Sequence, residues 1–187
     1  SMEATVVFMD WLVTNYGTDP LATFLVDERE LFFVPCLNPD GYEYNRQTNP
    51  GGGGMWRKNR RNNGGGVYGV DLNRNYATGW SAPNGGSSTS PSSDTYRGTA
   101  AFSEPETQAF VAFAESIKPA LTIWYHEDLN AIAPSTGVDW PLRLRYSALS
   151  GVPIGQVTQP GGIYTGTAAK WTRSVASESM SFVIELP

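Results

Sequence analysis

Apolar side chains in residues 3–16 fall at Val6, Val7, Met9, Trp11, Leu12 and Val13, with Glu3, Asp10 and Asn15 between them. That spacing predicts an amphipathic, mostly buried helix with Gly17 as its stop. Asp19-Pro20 opens a second short helix through Leu25, since proline suits a first helical turn. The apolar run ELFFVPCL over 30–37 predicts a buried strand of a parallel or mixed sheet, kinked or ended by Pro35. NPDG at 38–41 reads as a turn. Residues 45–69 form a long loop in which two glycine runs bracket the basic segment MWRKNRRNN; such a loop inside a compact domain is more often functional than idle. A second loop, rich in Gly, Ser and Pro, covers 81–93. Ser103-Glu104-Pro105-Glu106 predicts a helix start with Ser103 as N-cap, continuing through Phe110, Phe113 and Ile117 to Pro119. A short strand over 121–125 ends at His126, a helix covers 140–150, a glycine-rich loop covers 160–170, and a final strand over 181–186 carries Glu185 near its end. Alternating strands and helices predict an α/β fold, one domain over 1–187, with a mixed, mainly parallel central sheet flanked by helices.

Composition narrows the class. With 40% hydrophobic residues, 187 residues can bury a sizeable core. The net charge of −5 argues against nucleic acid as a partner. No apolar run reaches membrane-spanning length, and Ser1-Met2-Glu3 does not open a signal peptide. The low charged fraction of 17% and the Gly- and Ser-rich loops suggest a secreted or extracellular protein. Cys36 is the single cysteine and sits in an apolar run, where a buried, inert thiol is expected.

Ligands of open α/β sheets bind at the carboxyl ends of strands. NPDG, the Asn73/Arg74 pair, His126 and Glu185 all fall at or just beyond such ends. An arginine on a glycine-flanked loop, Arg57, suits an oxyanion or a carboxylate; a solvated basic loop is the competing reading. Asn73 beside Arg74 in GVDLNRNY suits a bidentate grip on a terminal carboxylate; an ion pair of Arg74 with Asp71 is the alternative. Glu185 in an apolar strand suits a general base, against a satisfied core acid. His126 is the only histidine, a metal-ligand type that is also common in structural roles.

Taken in order, NPDGYEYN, MWRKNR, GVDLNRNY, SDTYRGTAAFSEPET, the strand ending in His126, IYTGTAAKW and FVIELP resemble the zinc carboxypeptidases of the carboxypeptidase A type. The likeness runs from about Ala4 to Pro187 and implies the carboxypeptidase A-like fold. It implies a zinc-dependent metallocarboxypeptidase acting on the C-terminal bond of peptides or proteins. His126 corresponds to the later of two zinc histidines, Arg57 to the arginine that steadies the oxyanion, and Asn73 and Arg74 to the pair that binds the substrate's terminal carboxylate. Glu185 corresponds to the general base, Tyr164 to the mobile tyrosine that closes over the carboxylate, and Ala169 to the specificity-pocket position. A small neutral Ala169 disfavours basic side chains, while the adjacent Lys170 is either solvated or a feature favouring an acidic one.

The family's first zinc motif, His-x-x-Glu, precedes the helix that begins near Glu3 and is absent from this sequence, as is the last helix after the general base. An N-terminal segment completing the sheet and the zinc set is therefore an expected partner. Glu127 is no replacement ligand, since neighbouring strand residues point to opposite faces. Two other readings stay open. The short 128–170 region suits a relative that cleaves peptidoglycan stem peptides, and a metal-free chain suits a non-catalytic peptide-carboxylate-binding module.

Overall fold

The computed structural model describes residues 2–82, 86–127, 129–133, 138–155, 164–176 and 179–186. Helix α1 spans Met2–Asn15 and α2 spans Pro20–Glu28, with Asp19 capping α2 through hydrogen bonds from the Leu21 and Ala22 amides. The next helix, α3, covers Pro39–Thr48. NPDG is thus a helix start: Asn38 accepts from the Gly41 amide and Pro39 occupies the first turn. A 3₁₀ turn covers Leu72–Arg74, and α4 covers Pro105–Ile117 with Glu104, not Ser103, at its N-cap. Strand β1 (Leu121–Glu127), strand β2 (Ala131–Ile132), α5 (Trp140–Ser150), α6 (Ala168–Thr172) and β3 (Met180–Leu186) follow.

Three further sequence expectations are corrected. The 30–37 run is extended but belongs to no strand, because no hydrogen-bonding partner lies beside it among the described residues. It leans instead on helices, with Phe33 edge-on to Phe8 at 5.8 Å and Phe32 edge-on to Phe113 at 5.6 Å. Cys36 in that run is half-buried, not buried. Helix α1 forms where expected, yet only Leu12 is buried in it; Val7 and Val13 are 60% and 80% exposed.

The sheet has three strands in the order β1-β3-β2, with β1 and β3 parallel over seven residue pairs and β2 antiparallel to β3. Strand alternation sorts the side chains by face. One face carries Trp124, His126, Ser181 and Glu185; α6 packs there with Thr172 Oγ1 donating to Ser181 Oγ at 2.9 Å, and Trp124 Nε1 of β1 donates to the same oxygen at 3.1 Å. Tyr76, Ala114, Ala168 and Trp171 form the core on that side. Phe182, Ile184 and Ile132 form a second core on the opposite face, with Tyr125, Tyr146 and Ile154 around them. Under α5, the buried Arg143 and Asp139 pair at 2.8 Å. Arg173 reaches the same carboxylate at 2.7 Å, and both arginines donate to the Ser181 carbonyl.

Candidate active site

Strand register builds the first half of the site. His126 pairs with Glu185 across the parallel β1–β3 ladder, so imidazole and carboxylate stand on the same face of neighbouring strands, which run about 4.8 Å apart. Burial, and then the Arg57 and Arg74 charges, push the His126 pKa down to about 4, with Glu127 acting weakly the other way. At neutral pH the ring is therefore uncharged, the form that ligates metals. Glu185 sits on the central strand and is 9% exposed.

Loops build the other half. Asp71 caps the 3₁₀ turn, its Oδ1 accepting from the Asn73 amide at 3.0 Å. The turn presents Asn73 and Arg74. Asn73 Oδ1 accepts from the Ala168 amide at 3.0 Å, which brings α6 and Ala169 against it. The Arg74 guanidinium is fixed by Nε to the Gly86 carbonyl at 2.8 Å and Nη1 to the Asn73 carbonyl at 2.7 Å. Tyr164 lies over it, ring centroid 5.2 Å from the guanidinium carbon. Two residues on, Gly166 has a φ of +64° and approaches the Arg74 carbonyl so closely that there is no room for a Cβ. Lys170 is exposed and donates to the Tyr164 carbonyl.

Arg57 is placed by residues that sequence reasoning missed. Asn38 Nδ2 donates to the Lys58 carbonyl at 3.1 Å and Asn45 grips Trp56 through both its amide N–H and its carbonyl, at 3.0 and 2.8 Å. The Arg57 guanidinium then meets Asp71 Oδ2 at 3.1 Å, and Arg74 Nη1 lies 3.9 Å from the same oxygen. Burial raises the Asp71 pKa, while Arg57, Arg74 and the Asn73 amide oppose that. The basic segment is not a solvated loop. Lys58 is buried with Nζ on the Pro91 and Ser93 carbonyls, Arg61 pairs with Glu104, and Arg60 stacks over Tyr44, Trp56 and Tyr68. Asn38 read as part of a turn and Asn45 as the first residue of the long loop, and neither carries a chemical signature of its own.

The structure thus brings His126 and Glu185 together, groups Asn73, Arg74, Tyr164 and Ala169, and joins Arg57 to Arg74 through Asp71. Among the described residues, no three His, Cys, Asp or Glu side chains come together as a metal-binding group. His126 fits zinc as one ligand in the correct protonation form; the residues at hand do not complete a set.

The α/β scaffold sets an imidazole beside a carboxylate at adjacent strand ends, with the Arg57 and Arg74 charges acting on the imidazole. A family profile described as zinc carboxypeptidase matches residues 1–135. Carboxypeptidase A2 of Rattus norvegicus is 38% identical over 122 residues, 63% of this chain and 28% of that protein. Zinc carboxypeptidase A 1 of Anopheles gambiae is 29% identical over 212 residues, 98% of this chain and 45% of that protein. The crystal structure of thrombin activatable fibrinolysis inhibitor superposes with a TM-score of 0.83 at 24% identity, covering 99% of this chain and 50% of that one. The chain belongs to the zinc carboxypeptidase family, and it has the mixed α/β carboxypeptidase fold. It spans less than half the length of these two curated relatives.

Proposed function

We propose that this chain carries the substrate-gripping and proton-transfer side of a metallocarboxypeptidase that removes the C-terminal residue of peptides or proteins. The observation that carries the reading is the in-register pairing of His126 with Glu185, opposite two arginines fixed at different depths. Arg74 and the Asn73 amide hold the terminal carboxylate, which sets the last peptide bond at the reacting position. Arg57, half exposed at the mouth, donates to the scissile carbonyl and stabilises charge as it develops there. Glu185 takes the proton of the attacking water and returns it to the leaving amine. Tyr164 closes over the bound carboxylate, and the small Ala169 beside Asn73 leaves space for an uncharged side chain. Zinc, when bound, lowers the pKa of water and polarises the carbonyl; His126 is its ligand from this chain. The remaining ligands are not among the described residues. We read the protein as acting outside the cell, on the strength of its low charge and polar loops; no helix among the described residues is long and apolar enough to cross a membrane.

The test is release of free amino acid from N-blocked dipeptides by the natural full-length protein with zinc. Glu185→Gln is expected to cut turnover by roughly a hundredfold or more while product binding persists, and C-terminally amidated substrates are expected to be spared. Equal cleavage of amidated peptides would reject the carboxylate-gripping role.

A further inference from the structure

Asp71 lies against both arginines of the site, and nothing in the reaction proposed above uses it. Its side chain is 3% exposed. The backbone around it is fixed: its amide donates to the Tyr96 carbonyl at 2.8 Å and its own carbonyl accepts from the Arg74 amide at 2.9 Å. Oδ1 is committed to capping the Asn73 turn. Oδ2 lies 3.1 Å from Arg57 Nη2 and 3.9 Å from Arg74 Nη1, yet no well-aligned hydrogen bond reaches it. It acts on both guanidiniums as a charge. Arg57 and Arg74 come from different segments, and two like charges in a water-poor site repel strongly. One fixed carboxylate between them offsets one of the two positive charges. The balance left, one positive charge, matches one substrate carboxylate.

We propose that Asp71 is a positioning residue that anchors the Arg57 guanidinium relative to Arg74 and so sets the spacing between the group acting on the scissile carbonyl and the group gripping the chain end. This rests on the roles given above to Arg57 and Arg74. Because Asp71 also competes with the substrate for Arg74, removing its charge has opposite effects on the two steps: turnover falls while carboxylate binding tightens. A role confined to folding would weaken both.

Asp71→Asn removes the charge and keeps an oxygen that can cap the turn. Asp71→Ser, also a good cap, stands in if the first variant folds poorly. In the natural full-length, zinc-loaded protein, Asp71→Asn is expected to lower kcat by about tenfold to a hundredfold, as for other misplaced electrostatic groups, with little change in melting temperature. In the metal-stripped protein, calorimetry with N-acetylphenylalanine is expected to show binding tightened by a few fold. In an Arg57→Gln background the same substitution is expected to leave kcat nearly unchanged, since coupled residues are not additive. Arg57 side-chain N–H signals in the NMR spectrum, resolved in the parent, are expected to broaden in Asp71→Asn. Unchanged kcat, weaker acetylphenylalanine binding, full additivity with Arg57→Gln, or unaltered Arg57 signals would each overturn the proposal. The NMR readout needs no ligand and no turnover. If the parent proved not to bind carboxylates at all, the function proposed above would fall while the anchoring of Arg57 would still be decided.

Discussion

Gly166 shows how a single atom governs the carboxylate end of the site. A Cβ there would stand 2.3 Å from the Arg74 carbonyl oxygen, in a backbone conformation with φ of +64°. Gly166→Ala is expected to cost about 1–3 kcal/mol in strain and to pull Tyr164 off Arg74, read as a lower melting temperature together with weaker N-acetylphenylalanine binding. His126 makes a pH prediction at the same scale. Its folded pKa of about 4 lies below the value of an exposed histidine, about 6.5. Between these values the unfolded chain binds a proton that the folded chain does not. The stability tied to this ring is therefore whole above about pH 6.5, declines as pH falls, and is lost by about pH 4. Urea midpoints of parent and His126→Gln, compared from pH 4 to 8, are expected to diverge most at the acid end in favour of the variant; parallel curves would contradict this.

Among the elements, the tie beneath α5 is the most vulnerable. Asp139 is buried against Arg143, with Arg173 on the same carboxylate. Asp139→Ala leaves the buried Arg143 guanidinium without its counterion, and breaking such a pair costs about 3–5 kcal/mol; chemical denaturation of the two proteins measures it. Neither partner was legible beforehand, because Asp139 read as a loop residue and Arg143 as one more polar helix position. Strands β1 and β3 were legible because each is an apolar run bounded by turn residues, and their ends set His126 and Glu185 side by side. The 30–37 run carried the same signal and is no strand, since apolar composition does not supply a hydrogen-bonding neighbour. Helix α3 was read as a turn because Asn-Pro-Asp-Gly satisfies turn and helix-start rules alike, and only the Asn38–Gly41 hydrogen bond decides. For the charge run of 57–61 a solvent-facing loop stood as the competing reading; carbonyls from 91 and 93, and Glu104, lie far along the chain and turn Lys58 and Arg61 inward.

At the scale of the whole molecule, many apolar side chains stay at the surface. Exposed apolar side chains gather on α1, α2, the 30–37 run and β1, among them Val13, Leu21, Phe32 and Ile123. Among the described strands, β1 has no neighbour beyond β3 on its outer side. An apolar surface beside a free strand edge promotes association. The 187-residue chain is expected to self-associate with rising concentration in sedimentation velocity, and Ile123→Lys, a charge on the edge strand, is expected to suppress it. Stoichiometric zinc is expected to be lost from this chain on dialysis, since one imidazole beside one carboxylate is a poor cage. Zinc retained through dialysis would show that the described residues hold it unaided.

The position of β3 also dictates a timetable. The strand at the centre of the sheet follows both of its neighbours in the chain, and the Trp124–Ser181 hydrogen bond joins residues 57 apart. Until residues 180–186 emerge, β1 and β2 have no common neighbour, and the core around Ile132 lacks Phe182 and Ile184. Such long-range pairing slows folding and leaves β1 waiting as an open edge during synthesis. The residue nominated to move the proton is thus seated on the strand that joins β1 to β2, so the site is assembled only once that strand has docked.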